Sequence, residues 1–105
     1  MMPLRTASAF KILTADQWEA FVRDGRFGGA PIDLADGYIH LSTASQLEGT
    51  LDKHFAGQRD LVIAEIDLTR FGDAVRWEVS RGQELFPHLY GELTLEAVIG
   101  HRPAR

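Results

Sequence analysis

A chain of 105 residues, 45% apolar and 25% charged, has room for one domain around one core and too little excess polarity for disorder. Its net charge of −4 argues against a nucleic-acid partner, whose affinity rests on neutralising phosphates, and the lack of cysteine excludes disulfides, thiolate nucleophiles and thiolate metal sites. No apolar run approaches the ~20 residues that cross a bilayer, and Met1-Met2-Pro3-Leu4-Arg5 lacks the apolar stretch of a leader, so a cytoplasmic protein with no membrane partner is expected.

Ala9–Leu13 reads as a first strand with Phe10 and Ile12 on one face. Thr14 then caps a helix, and Gln17 completes a capping box. Trp18, Phe21 and Val22 follow at the spacing of one buried stripe, and Gly25 ends the helix. Gly28–Pro31 is a loop, Ile32–Ala35 is extended or a short turn, and Asp36-Gly37 is a turn. Tyr38–Leu41 is a short strand. Thr43 with Gln46 forms a second capping box for a helix carrying Leu47, Leu51 and Phe55, ended by Gly57. Leu61–Ile66 is a buried strand rich in β-branched residues, and Leu68–Asp73 a turn or short helix. Val75, Trp77 and Val79 alternate with Arg76, Glu78 and Ser80 as in a half-buried strand. Leu85–Tyr90 is broken by Pro87, and Leu93–His101 supplies a last strand. The order is β-α-β-α-β-β-β; helices early and strands late favour α+β over a doubly wound sheet.

Two blocks carry the chemistry. In Tyr38-Ile39-His40-Leu41-Ser42, alternation puts Ile39 and Leu41 on one face and Tyr38, His40 and Ser42 on the other. A histidine beside hydroxyls suits hydrogen bonding to a sugar, or proton transfer. Ser42 and Thr43 are explained first as a helix cap, to which a ligand phosphate or carboxylate would be an addition. In the second block, Glu78 lies beside the indole of Trp77 and ahead of Arg81. It is either a site carboxylate or a solvated edge group paired with Arg76 or Arg81. Phe86-Pro87-His88-Leu89-Tyr90 makes a stiff segment that walls a pocket or plugs one end of a sheet. Asp33 and Asp36 are within reach of His40 in sequence, although aspartates before a turn usually serve the turn. The four histidines lack zinc-ligand spacing, and there is no GxSxG elbow, Walker loop or Rossmann turn.

The segments Lys11-Ile12-Leu13, Gly25-Arg26-Phe27, Asp33 through Thr43, Leu61-Val62, Arg76-Trp77-Glu78, Ser80-Arg81-Gly82 and Phe86 through Tyr90 together resemble a bacterial family, domain of unknown function 952, over nearly the full length. That family looks like a compact member of the ADP-ribosyltransferase fold. The resemblance implies an α+β domain with two early helices packed on a bent, split, mainly antiparallel sheet, and NAD as a candidate substrate in its cleft. It also implies a histidine or arginine on an early strand, a hydroxyl or tyrosine on the next, and a late glutamate. Here Lys11 stands on the first strand, His40, Ser42 and Thr43 fill the second position, and Glu78 is the nearest candidate for the third, with Glu84, Glu92 and Glu96 competing. The expected site is therefore His40 and Glu78 as catalytic groups and Tyr38, Ser42, Thr43, Trp77, Arg81, His88 and Tyr90 as ligand contacts, with no metal. A small molecule is the expected partner, and a catalytically inert binding module is the alternative.

Overall fold

Strand β1 (Ser8–Thr14) ends in the residue that caps the next helix, α1 (Ala15–Asp24). The Thr14 hydroxyl accepts the Gln17 N–H at 3.1 Å, and Gln17 Oε1 accepts the Thr14 N–H at 2.9 Å. This satisfies two helix-end donors reciprocally. Gly25, at φ +79°, closes the helix in the left-handed conformation. Phe21 is completely buried from this helix, but Val22 is 49% exposed, so the buried stripe is narrower than its spacing suggests. The computed structural model describes residues 7–104; Met1–Arg5, read above for a leader, lies outside them.

Strand β2 (Arg26–Phe27) leads to α2 (Pro31–Asp36), a helix that hydrophobic periodicity does not reveal. It has no apolar stripe to announce it: Ile32 and Leu34 are 51% and 68% exposed. Its ends define it instead. Pro31 supplies a preset φ at the first helical position. Asp33 reaches back to the Ala30 N–H at 2.8 Å, a bond alanine cannot return. Gly37, at φ +89°, terminates the helix with its N–H on Asp33 O.

Strand β3 (Ile39–His40) is followed by α3, which begins at Leu47 rather than just after Thr43 and ends at His54 rather than at Gly57. Gln46 Oε1 accepts the Thr43 N–H at 3.0 Å, but the Thr43 hydroxyl faces Ser45 Oγ at 3.3 Å, so half of the expected capping box forms. The remaining strands are β4 (Leu61–Asp67), β5 (Val75–Val79), β6 (Leu85–Leu89), β7 (Leu93–Thr94) and β8 (Val98–Pro103). The single last strand expected over Leu93–His101 is thus two, parted by a 3-10 turn at Leu95–Ala97 that buries Ala97.

Among the described residues the strands form three antiparallel sheets, ordered β1-β4-β8, β2-β7 and β3-β6-β5. The class is α+β, with three α-helices among the described residues where two were expected. Pro87 does not break β6; it lies inside a central strand. Leu41 still donates to Pro87 O at 3.1 Å, but proline has no N–H to return. Pairing between β3 and β6 stops there, and the chain crosses to β1, where Ser42 and Phe10 exchange bonds of 2.8 and 2.9 Å. That crossing joins two sheets. One main core, containing Leu13, Phe21, Ile39, Leu41, Ile66, Leu89 and Leu93, lies on the face away from His40. Each such side chain contributes roughly 1.5–3 kcal/mol by leaving water.

Candidate functional site

The pairing of β3 with β6 sets His40 directly opposite His88, and β5 adds Arg76 on the other side of His88. Side chains opposite one another share a face, so the two polar-aromatic blocks meet. Their ring centroids lie 5.6 Å apart. Tyr38 stacks on His88 at 4.1 Å and packs against His40 and Tyr90 at 4.7 and 5.2 Å. Arg76 covers the Tyr90 ring at 4.3 Å. Ile39 and Leu41, with 1% and 2% exposure, take the core face, as alternation requires.

His40 is held by two carboxylates. Its Nδ1 lies 2.6 Å from Asp33 Oδ1 and its Nε2 lies 2.9 Å from Asp36 Oδ2. Only a ring carrying both protons donates to both. Asp33 is the centre of this network. Besides His40 Nδ1 it accepts the N–H groups of His40 and Ala30, and it pairs with the Lys11 ammonium at 2.9 Å. Burial pushes the Asp33 carboxyl up, but the His40 bond, the Lys11 charge and the Ala30 N–H together outweigh it and hold the group at about 2. Lys11 is also buried, and this desolvation lowers its pKa despite Asp33. The convergence of donors on Asp33 makes a charged pair the consistent assignment at neutral pH. Lys11 also donates to His40 O at 3.1 Å, tying β1 to β3.

His88 is 3% exposed. Its Nδ1 is 2.7 Å from Glu78 Oε1, which also accepts the Tyr90 hydroxyl at 2.8 Å. Those bonds lower the Glu78 pKa, the His88 bond most, and the Glu78 bond raises that of Tyr90. No buried polar side-chain atom among the described residues lacks a partner, and His88 borders the adjoining cavity.

That cavity, of about 380 Å³, opens between β1, α2, α3 and the β3–β6 pair. Small-molecule pockets run from ~300 to ~1,000 Å³. Phe10, Ile12, Phe55 and Phe86 give it apolar walls, and His40, Ser42, Arg81 and His88 border it. Ser42 Oγ meets Thr50 Oγ1 at 2.8 Å, and Arg81 Nη1 donates to Thr50 Oγ1 at 3.2 Å. Other residues of the expected site stand elsewhere. Trp77 packs against the core from the opposite face of β5. Tyr38, Glu78 and Tyr90 form a layer beside the cavity rather than its wall, with Glu78 reaching it through His88. Thr43 serves the turn before α3. Lys11 and Asp33 carry more of the site than their sequence context indicates, and Thr50 is a partner of Ser42 that no local spacing reveals. A lysine on a core-facing strand position was the available signal, because such a charge needs a buried counter-charge. Among the described residues no three His, Asp or Glu groups are arranged to hold a metal ion, and no helix is long and apolar enough to cross a membrane.

The chain is similar to protein CC0527 from Caulobacter crescentus. A crystal structure of that protein is 41% identical, aligns over 91% of this chain and 84% of that one, and superposes with a TM-score of 0.88. A crystal structure of a double mutant of it gives the same values, and its solution NMR structure is 40% identical over 93% and 84%, with a TM-score of 0.82. No curated protein matches. The family model described as "Protein of unknown function (DUF952)" matches residues 12–101, and the chain belongs to that family.

Proposed function

We propose that the chain is a small-molecule binding domain whose cleft takes a ribose-bearing ligand, NAD or an ADP-ribose compound. The supporting observation is that His40, Ser42, Arg81 and His88 border one cavity between the rings of Phe10, Phe55 and Phe86. Aromatic walls suit a base or nicotinamide ring, and Arg81 and His88 suit ribose hydroxyls, while both His40 ring nitrogens are engaged by Asp33 and Asp36. Three small antiparallel sheets with a cleft beside them are consistent with a compact ADP-ribosyltransferase-like fold, which we include in the proposal.

Ribosyl transfer is the chemical extension of this reading. A carboxylate supports the positive charge that develops on a ribosyl carbon as its leaving group departs. Glu78 is bonded to His88 and Tyr90 and does not border the cavity, so here it would act through His88. The same observation favours the second reading, a module that binds without turnover, as does Lys11 in place of a histidine on the first strand. Calorimetric titration with NAD and ADP-ribose, followed by a nicotinamide-release assay, tests both. Heat with release supports the transferase, heat without release supports the inert module, and no heat with either compound refutes the proposal.

A further inference from the structure

The cavity wall carries Lys11, Arg81 and the imidazoles of His40, His54 and His88, and no aspartate or glutamate, although the whole chain has a net charge of −4. The carboxylates stand behind the basic groups. Asp33 pairs with Lys11 and His40, Asp36 with the outer nitrogen of His40, and Glu78 with His88. Arg81 differs from these. Its described hydrogen bonds go to Thr50 Oγ1 at 3.2 Å and to Gln46 O at 3.3 Å, two neutral acceptors that leave its charge uncancelled. Both are longer than the usual ~2.9 Å, and they use two of the five N–H groups of a guanidinium.

The guanidinium is also held in a fixed plane. It lies over the Phe86 ring at 5.0 Å, and Gly49 makes room for it, since a Cβ there would sit 3.0 Å from Nη2. Held in this way at a cavity wall, its remaining N–H groups form a preorganised fork for an oxyanion. His54 responds to the same positive field: burial first, then Arg81, Lys53 and His40, lower its pKa.

From a wall without carboxylates and this fixed cation we propose that Arg81 anchors a phosphate group of the cavity's ligand. The inference rests on the small-molecule reading above and names the group by which the ligand is held. The test uses the full chain with sodium pyrophosphate, ADP-ribose and uncharged ribose, read by calorimetry and by histidine-ring NMR. Pyrophosphate and ADP-ribose are expected to bind, ribose far more weakly. Arg81→Gln should weaken both anions tenfold or more, and Arg81→Lys by less. Gly49→Ala keeps the charge but displaces the guanidinium, so it should weaken them too without touching the core. Pyrophosphate should raise the His54 titration.

ADP-ribose binding to Arg81→Gln within twofold of the parent would overturn the anchor and leave the proposed function standing. Arg81-dependent binding of pyrophosphate without binding of ADP-ribose would do the reverse. Pyrophosphate that leaves the His54 signal unmoved and binds no better than ribose would remove the phosphate site altogether.

Discussion

Replacing Asp33 by asparagine keeps the side chain's shape and removes its charge. The side chains of Asp33 and Lys11 are 1% and 6% exposed, so the lysine ammonium would be left in the interior with no counter-ion. Removing one partner of a buried pair typically costs about 3–5 kcal/mol. The carboxyl's own titration gives a second figure. A group held at about 2 against an ordinary 3.8 contributes roughly 2–2.5 kcal/mol at ~1.36 kcal/mol per pH unit. Because the folded value is the lower one, that contribution is complete above the unfolded pKa and is lost as pH falls toward 2. Both figures are large against the ~5–15 kcal/mol of a domain. Lys11 limits the damage, since burial already lowers its pKa and it can shed its proton in the variant. Asp33→Asn should therefore lose about 3 kcal/mol at pH 7 and recover part of it by pH 9.5. Urea unfolding followed by circular dichroism at both pH values, with Lys11→Met and the double variant completing a cycle, measures this. A loss below ~1 kcal/mol at pH 7, or a double variant as unstable as the two singles added, would refute the reasoning.

Three further outcomes are expected. Thr14→Ala should cost about 1 kcal/mol in the same assay, because the Gln17 N–H loses its acceptor while the Gln17 side chain still reaches back. Gly37→Ala should cost ~1–2 kcal/mol, read as a lowered melting temperature. The φ of +89° opposes any side chain, whereas no atom lies within 4 Å to oppose the added methyl group sterically. Glu78→Gln should bring the Tyr90 phenol titration, followed at 295 nm, down toward 10, since the carboxylate that raises it would be gone. An unchanged titration would contradict the Glu78–Tyr90 bond.

The elements most legible in the sequence are those fixed by local rules. The Thr14–Gln17 box, the Gly25 stop and the alternation that buries Ile39 and Leu41 while turning Tyr38 and His40 away from them all follow from neighbours within a few residues. The meeting of His40 and His88 was legible as a pair of polar-aromatic blocks, but their register depends on β6 lying between β3 and β5, which no local spacing encodes. Helix α2 escaped because its apolar residues point outward and its caps alone define it. Asp33 has the local signature of a turn residue, because its other partners, Lys11 and the His40 ring, arrive from separate strands. Trp77 looked like a pocket wall from its neighbours Arg76 and Glu78, yet strand alternation sends it to the core.

The cavity border is assembled from five separate stretches between Phe10 and His88, including β1, α2, β3, α3 and β6. Loss of any one of these stretches opens the enclosure, so occupancy is linked to the unfolding equilibrium. A compound present at a hundred times its dissociation constant adds about 2.7 kcal/mol to that equilibrium. For a domain of this size such a gain moves the melting midpoint on the order of 10 °C. A plate-format melting screen across metabolite collections would thus reveal the natural occupant without any prior guess at a reaction.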